Sequence, residues 1–436
     1  MIKKIAAVRL SPVVIMAMVP ALFAQQPASP PGDDHQLVMQ LLQRVSELEA
    51  EVQRLRSAPP NNAAAPNALG AVAPNGIVGG ATPVQVPPPS TPAVAAPSTN
   101  AGGMPGMNVA DILGLQFRGF ADDLFTDSTQ RGAHSTFSQG IGFDFFMTSK
   151  MSDQFSALAE FLIEYIPTTN ATEPDLERLE LHYTPSDYFN LTAGRFHTAI
   201  GYYNTAYHHA SWLLPTVTRP VLFEFEDQGG ILPTHTEGLS ATGAIPSGPL
   251  GLHYIAEIGN GRSANSLSAV PVVQDDNNRK SYNFAGFSRP AAIPGFQAGF
   301  SIYGNRLYPT GLAKINQTIW DGYVTYHPSG FEFTTEALVI RNALEGTNTI
   351  FHTPGFYSIL AKDVGHGVKP YFSWQYVNDA RREPLFGTSI GLNQGPAAGV
   401  RWDFTDFLAW KLEYFRLMRR AVPDVNGIRA DIAFTF

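Results

Sequence analysis

The chain of 436 residues contains no cysteine, and this absence removes three kinds of chemistry at once. Disulfides, thiolate nucleophiles and thiolate metal sites all require that side chain. Long apolar runs are missing too, since no stretch reaches the roughly 18 residues that a membrane-spanning helix needs. Lysine and arginine form no cluster with interleaved aromatic residues, and the net charge is -8. Composition therefore argues against a helical membrane protein and against a nucleic-acid partner.

Charge is absent from residues 57–110, where proline, alanine, asparagine and glycine dominate. A segment of this composition cannot bury enough apolar surface to offset the entropy of its chain. We therefore predict a disordered linker over residues 57–110, kept extended by its prolines.

The first residues have the pattern of an export signal. Lys3, Lys4 and Arg9 precede an apolar stretch over 13–23, and small residues follow. Cleavage after Ala21 or Ala24 fits equally, and we predict a signal peptide over 1–24. The compartment is then beyond the inner membrane.

A short heptad pattern follows the signal peptide. Apolar residues recur at alternating steps of three and four, at Val38, Leu41, Val45, Leu48, Val52 and Leu55. This spacing predicts a periplasmic coiled coil over 33–56, either dimeric or trimeric, because three heptads are marginal without partners. The alternative is a surface helix docked on a domain.

The last ten residues alternate strictly between apolar and polar. Ile428, Ile432, Phe434 and Phe436 share one face, whereas Asp431 lies on the other, which predicts a half-exposed β-strand. About sixteen such runs occur between residues 111 and 436. We predict an all-β fold in this region, namely a transmembrane antiparallel β-barrel of about 16 strands, with a β-sandwich or soluble barrel as the alternative.

Short and long connections alternate between these strands. Short joins such as 246–249 and 327–330 contain Pro-Ser-Gly turns, whereas long ones include 197–236, 259–281, 342–355 and 377–395. Bacterial outer-membrane barrels have an even strand number, short periplasmic turns and longer outer loops. The alternation favours such a barrel over a sandwich.

Three segments carry a family resemblance. Residues 427–436 resemble the closing strand of Gram-negative outer-membrane barrels, whose terminal aromatic residue is read by the assembly machinery. Residues 191–201 and 207–212 look like the strand-and-loop segment of the phosphate-selective porin superfamily. The coiled coil before a proline-rich linker is similar to some trimeric dicarboxylate-type porins. This resemblance implies a porin in the outer membrane of a Gram-negative bacterium, with a periplasmic N-terminal segment and a homotrimer held through barrel and coiled coil.

A barrel of sixteen strands leaves an aqueous channel unless something narrows it. In porins a long loop enters the lumen, and the longest connection here is 197–236. We predict that its charged residues form the pore constriction, with a transverse field across it. An outer loop lying on the surface or on a neighbouring subunit is the alternative. The predicted constriction residues are His208, His209, Arg219, Glu224, Glu226 and Asp227.

Charged residues also alternate with the apolar stripes of the strands, and a charge facing lipid would cost several kcal/mol. We therefore predict that they line the lumen. The principal wall residues are Glu160, Glu164, Arg178, Glu180, Arg401, Asp403, Lys411 and Glu413, with further wall charges at His182, Glu257, Asp321, Glu332, Glu336 and Lys369.

These features predict passive diffusion of small hydrophilic solutes or ions, with a mild preference for cations or none. One alternative is an anion- or dicarboxylate-selective porin, and another is a plugged barrel that tethers the envelope, for example to peptidoglycan. No cofactor, metal site or catalytic residue is expected. Ser211 near His208, His209 and Asp227 is the candidate for a barrel enzyme, but no nucleophile-elbow motif is present.

Overall fold

Sixteen antiparallel strands form one closed barrel in the computed structural model, which describes residues 115–166, 171–207, 211–224, 230–262, 277–309, 311–380, 382–386, 390–420 and 422–436. Each strand pairs with its neighbours in the chain, and the first pairs with the last. The predicted all-β barrel is confirmed. The signal peptide, coiled coil and linker lie outside the described residues. The strands are β1 (Leu115–Ser128), β2 (Thr136–Lys150), β3 (Phe155–Ile166), β4 (Ala171–Ser186), β5 (Phe189–His197), β6 (His235–Ile245), β7 (Leu252–Asn260), β8 (Lys280–Ser288), β9 (Phe296–Leu307), β10 (Ile315–Tyr326), β11 (Phe331–Leu344), β12 (Ile350–Lys362), β13 (Val368–Asn378), β14 (Leu392–Thr405), β15 (Leu408–Arg419) and β16 (Val425–Thr435).

Helical structure is sparse in the described part of the chain. It comprises α1 (Tyr203–Ala206) and the short 3₁₀ helices η1 (Ser211–Leu213), η2 (Val221–Phe223) and η3 (Gly248–Leu250). None of the described helices is long and apolar enough to cross a membrane.

The two faces of the sheet differ as the alternation predicts. On β16, Ile432 is 49% exposed on the outer face, whereas Asp431 and Ala433 are fully buried on the inner face. On β4, Leu179 is 54% exposed outside and Arg178 is buried inside. Period-two alternation thus places an apolar belt outside the barrel and polar side chains inside it.

The C-terminal residue closes the barrel. Gly119 N donates to Phe436 O at 3.0 Å, and Phe436 N donates to Gly119 O at 3.1 Å. A side chain at position 119 would meet the Phe436 ring and the Asp144 carbonyl, so only glycine fits this seam. The residue predicted to end the final strand therefore takes part in the seam itself.

Both chain ends of the barrel lie at one rim, which we call the terminal end. The turns at this rim are 151–154, 187–188, 246–251, 289–295, 327–330, 363–367 and 406–407, and the opposite rim, the loop end, carries 198–234, 261–279 and 379–391. One predicted long connection is wrong. Residues 342–355 form a tight hairpin at 345–349, because β11 and β12 remain paired as far as Ala343 and Ile350.

The lumen contains a hydrophobic core of its own, which we call the lumen core. It combines inward-facing residues of β9 to β13 with residues from two loops, and most members are almost completely buried. Loops therefore supply the apolar surface that fills this half of the barrel. The members are Ile200, Tyr203, Leu214, Leu222, Phe223, Ile231, Leu232, Tyr303, Leu307, Ile315, Ile319, Leu338, Ile340, Tyr357, Ile359, Val377, Leu385 and Phe386.

Candidate pore constriction

The connection between β5 and β6, residues 198–234, is what we call the constriction loop, and its described parts, 198–207, 211–224 and 230–234, fold into the barrel. Most of this described backbone lacks regular structure, so its N–H groups need acceptors from elsewhere. Inward-pointing side chains of β7, β9, β11, β13 and β15 provide them. The bonds run from Ala199 N to Glu257 Oε2 (3.1 Å), Gly201 N to Ser301 Oγ (3.2 Å), Tyr203 N to Glu336 Oε2 (2.9 Å), Val221 N to Gln375 Oε1 (2.7 Å) and Val217 N to Glu413 Oε2 (3.4 Å).

A buried lysine anchors the middle of the loop. Lys411 Nζ on β15 lies 3.0 Å from Asp431 Oδ2 on β16, and both side chains are 0% exposed. The same ammonium group donates to Ser211 O at 2.6 Å and to Thr216 O at 3.1 Å. We call this group the Lys411 anchor. The ammonium group thus divides its hydrogen bonds between the Asp431 carboxylate and the loop backbone.

Ser211, the candidate nucleophile, belongs to this anchor. Its hydroxyl donates to Asp431 Oδ2 at 3.1 Å, and its side chain is buried. The neighbouring His208 and His209 lie outside the described residues, as does Asp227. In this position the hydroxyl holds the loop to the wall.

Two arginines stabilise carbonyl groups of the same loop. Arg401 on β14 donates to Leu214 O at 3.0 Å and to Trp212 O, and its guanidinium lies 5.5 Å from the centre of the Trp212 ring. Arg219, within the loop, donates through Nε to Phe223 O at 2.5 Å and stacks over Tyr203 at 5.6 Å. Both guanidinium groups are therefore engaged with loop backbone and with aromatic faces.

Of the predicted constriction residues, Arg219 and Glu224 lie in the described part of the chain. Arg219 is buried against its own loop, and Glu224 is half-buried after η2. His208, His209, Glu226 and Asp227 lie outside the described residues. A transverse field across the pore at these residues stays a prediction.

The predicted wall residues fall into two groups on the inner face. Glu160, Glu164, Arg178 and Glu180 lie on β3 and β4, and Arg401, Asp403, Lys411 and Glu413 lie on β14 and β15. All are buried except Asp403, whose side chain is 33% exposed and pairs with Arg401 at 2.7 Å. Arg178 pairs with Glu160 and lies 3.9 Å from Glu180. These charges are mostly neutralised by one another.

A second loop closes over the constriction loop at the loop end. Residues 379–391 connect β13 to β14, and Leu385 and Phe386 insert into the lumen core. Glu383 fixes this turn by accepting from the backbone N–H groups of Leu385 and Phe386 and from Asn342 Nδ2 on β11 at 2.8 Å. Burial raises the pKa of Glu383, although these donors oppose the shift.

Open space remains on the other side of the lumen. A cavity of about 360 Å³ lies against β1 to β7 and extends to the turn at Lys150 and Asp153. Ala199 and Thr205 of the constriction loop form its opposite boundary. The barrel interior is thus divided into a packed half and a solvent-accessible half.

Known outer-membrane proteins share the fold of this chain. No family model matches the sequence, and no curated protein matches it. Solved structures do match. The outer-membrane channel DcaP of Acinetobacter baumannii has a TM-score of 0.51 at 9% identity, over 74% of this chain and 97% of that one. The anion-selective porin of Comamonas acidovorans gives 0.51 at 11% identity, over 74% and 99%. OmpF of Salmonella typhi, solved with daunomycin, gives 0.50 at 10% identity, over 74% and 97%.

The fold is that of the outer-membrane porins. At these sequence identities the likeness shows the fold alone, and it does not indicate which solute this chain carries.

Some residues of the site were not foreseen from the sequence. Asp144, Glu177, Arg195 and His235 join the buried charges of β3 and β4, and His235 Nε2 lies 2.6 Å from Glu177 Oε2. Glu177 sits at a β-bulge, where the register shifts between β3 and β4. Because a bulge interrupts the two-residue alternation, the pattern cannot assign a bulged residue to the inner or outer face. An extra charged residue in a strand is the sequence signal that could have indicated the bulge.

Proposed function

We propose that the protein is a porin of the Gram-negative outer membrane, through which small hydrophilic solutes or ions diffuse passively. The observation that carries this proposal is the constriction loop, which is fixed inside a sixteen-stranded barrel beside an open cavity. In a barrel without such a loop, these inward-pointing acceptors would have no loop N–H groups to bind. The apolar belt of the outer face supports contact with membrane lipid.

The proposal includes the N-terminal segments. Signal peptide 1–24 exports the chain, coiled coil 33–56 lies in the periplasm, and linker 57–110 connects it to the barrel. The coiled coil ties subunits together or touches peptidoglycan. This part rests on sequence patterns alone.

We further propose a homotrimer. Asp123 on β1 pairs in register with Ile432, which is exposed on the outer face, and Asp123 is exposed too. A carboxylate facing lipid at the middle of a membrane is unfavourable. Contact with a neighbouring subunit at the β1–β16 seam would remove it from lipid.

Selectivity follows from the distribution of charge. Basic groups at the constriction, among them Arg219, Arg401, Lys411 and Arg429, bind loop oxygens or carboxylates. They are therefore poorly placed to attract anions, which supports an unselective or mildly cation-preferring pore. The alternative is an anion- or dicarboxylate-selective pore, and the structural neighbour from Comamonas acidovorans is itself an anion-selective porin.

One observation favours a second function. The lumen core fills the β9 to β13 half of the barrel with apolar side chains, as a plug would. In this alternative the barrel is a closed anchor, and the coiled coil and linker act as an envelope tether.

Planar-bilayer recordings separate these functions. A porin gives stepwise currents in groups of three, and its reversal potential under a salt gradient reports the preferred ion. Removal of residues 25–110 leaves the conductance of a porin unchanged but abolishes the envelope role of a tether. Folded protein without any conductance would refute the channel.

A further inference from the structure

The open cavity has a distinctive lining. One row of directly paired inward residues runs across β3 to β7, comprising Ser156, His182, Thr192, Ser240 and Glu257. A second row toward the terminal end includes Thr184, Asn190 and Thr242. Most of these groups are hydroxyls or amides.

The charged groups of the lining are already bound. Inside the cavity Glu180 lies 3.0 Å from His182, whereas Lys150 and Asp153 form an exposed pair at 3.2 Å on the outer edge of the cavity. Glu257 accepts hydrogen bonds from Ala199 N and from Asn283 Nδ2 at 2.9 Å. A charged solute would have to displace one of these partners.

Several neutral groups, by contrast, are available. Among the described residues, the side chains of Ser156, Asn190 and Thr242 have no hydrogen-bond partner, and each is half-buried at the cavity surface. Thr148 and Gln116 extend the same surface onto β2 and β1. Asn190 and Thr242 face each other across β5 and β6, so that one solute can reach both.

An apolar surface completes the cavity. Leu158, Phe196 and Ile255 are buried behind the polar rows and contribute to the lining. Hydroxyl and amide groups beside a small apolar surface suit a solute with many hydroxyls and exposed C–H groups. The volume of about 360 Å³ lies within the range of ligand pockets.

We propose that this cavity is a binding subsite for small uncharged polyhydroxy solutes, such as monosaccharides. The subsite rests on the proposed function, because solutes reach it through the channel. Asn190 and Thr242 make the principal hydrogen bonds to solute hydroxyls. The subsite favours uncharged solutes over ions because the buried carboxylates of its lining already bind protein partners.

The test is block of single-channel current by glucose, compared with glucosamine and gluconate, which resemble it in structure but carry opposite charges. We expect glucose to reduce the salt current in a saturable manner and at lower concentration than either charged analogue. The double variant Asn190→Leu/Thr242→Val should weaken the block about tenfold, the loss expected for two hydrogen bonds. Thr325→Val, a buried position on β10 outside the cavity, is the matched control and should leave the block unchanged.

The outcomes distinguish the subsite from the channel. A normal salt current without saturable glucose block refutes the subsite and leaves the porin intact. Equal block of the wild type and the double variant, or tighter block by a charged analogue, also refutes it. Absence of any salt current from folded protein overturns both the subsite and the proposed function. Heat-modifiable mobility in gels verifies that each variant has formed the barrel.

Discussion

The Lys411 anchor gives the sharpest prediction. Replacing Lys411 by methionine keeps most of the unbranched side chain but leaves Asp431 buried without its cation. Removing one partner of a buried pair costs about 3–5 kcal/mol. The loop carbonyls of Ser211 and Thr216 also lose their donor.

This loss of free energy should weaken docking of the constriction loop to the wall, whereas the barrel itself should stay closed. The sixteen strands stay joined by continuous ladders, whereas residues 211–221 bind the wall through a few side chains. At about 1.4 kcal/mol per factor of ten, the docking equilibrium should weaken by at least a hundredfold. We expect faster hydrogen exchange over residues 211–221 and noisier single-channel currents.

The matched control is Lys369→Met on β13. Lys369 pairs with Glu332, but the two side chains are 20% and 29% exposed, so the expected cost is below about 1 kcal/mol. A second variant, Lys411→Met/Asp431→Leu, removes both charges and should recover part of the docking. Unchanged exchange and conductance in Lys411→Met would show that the pair does not hold the loop.

Other predictions concern the same loops. Gly201 has φ +68°, and a side chain there would meet the Glu336 carboxylate. Gly201→Ala should therefore weaken docking of the constriction loop by about 1–3 kcal/mol, which hydrogen exchange over residues 198–207 measures. The control is Gly248→Ala, at φ +57° in open space, which introduces backbone strain without affecting the loop. Because burial raises the pKa of Glu383, the stabilisation that its protonation gives to residues 379–391 is fully present below the ordinary carboxyl pKa and is lost as pH rises through the raised value. Conductance should therefore be lower at acidic pH, and Glu383→Gln should retain the low level at neutral pH; an unchanged titration in this variant would exclude Glu383 as the source. Asp123→Leu should leave the barrel folded but change trimer stability in semi-native gels, and a monomer-only wild type would contradict the seam interface.

The sequence was sufficient to predict the barrel because its signal is local. Alternation in residues such as Asp431 and Ile432 assigns each side chain to a face, and turn residues mark the terminal end. The same rule places Glu257, Glu336 and Lys411 inside. Alternation could not predict what these side chains bind, because their partners are backbone groups of the constriction loop, which is distant in the sequence. Hairpin 345–349 was misjudged for a related reason, since its strands continue beyond the apolar pattern, where Asn342 donates to Glu383 and Thr353 donates to Asp379.

Neighbouring strands of the barrel are joined by hairpins, except at the seam between β1 and β16. The constriction loop, which begins at residue 198, is anchored on strands that begin at residues 408 and 425. The Lys411 anchor therefore cannot form until the last two strands have been added to the sheet. Docking of the loop is completed late in assembly, whereas its first residues bind Glu257, Ser301 and Glu336 on earlier strands. A chain truncated before β15 would keep the contact of Arg401 with the middle of the loop but would lack the Lys411 anchor.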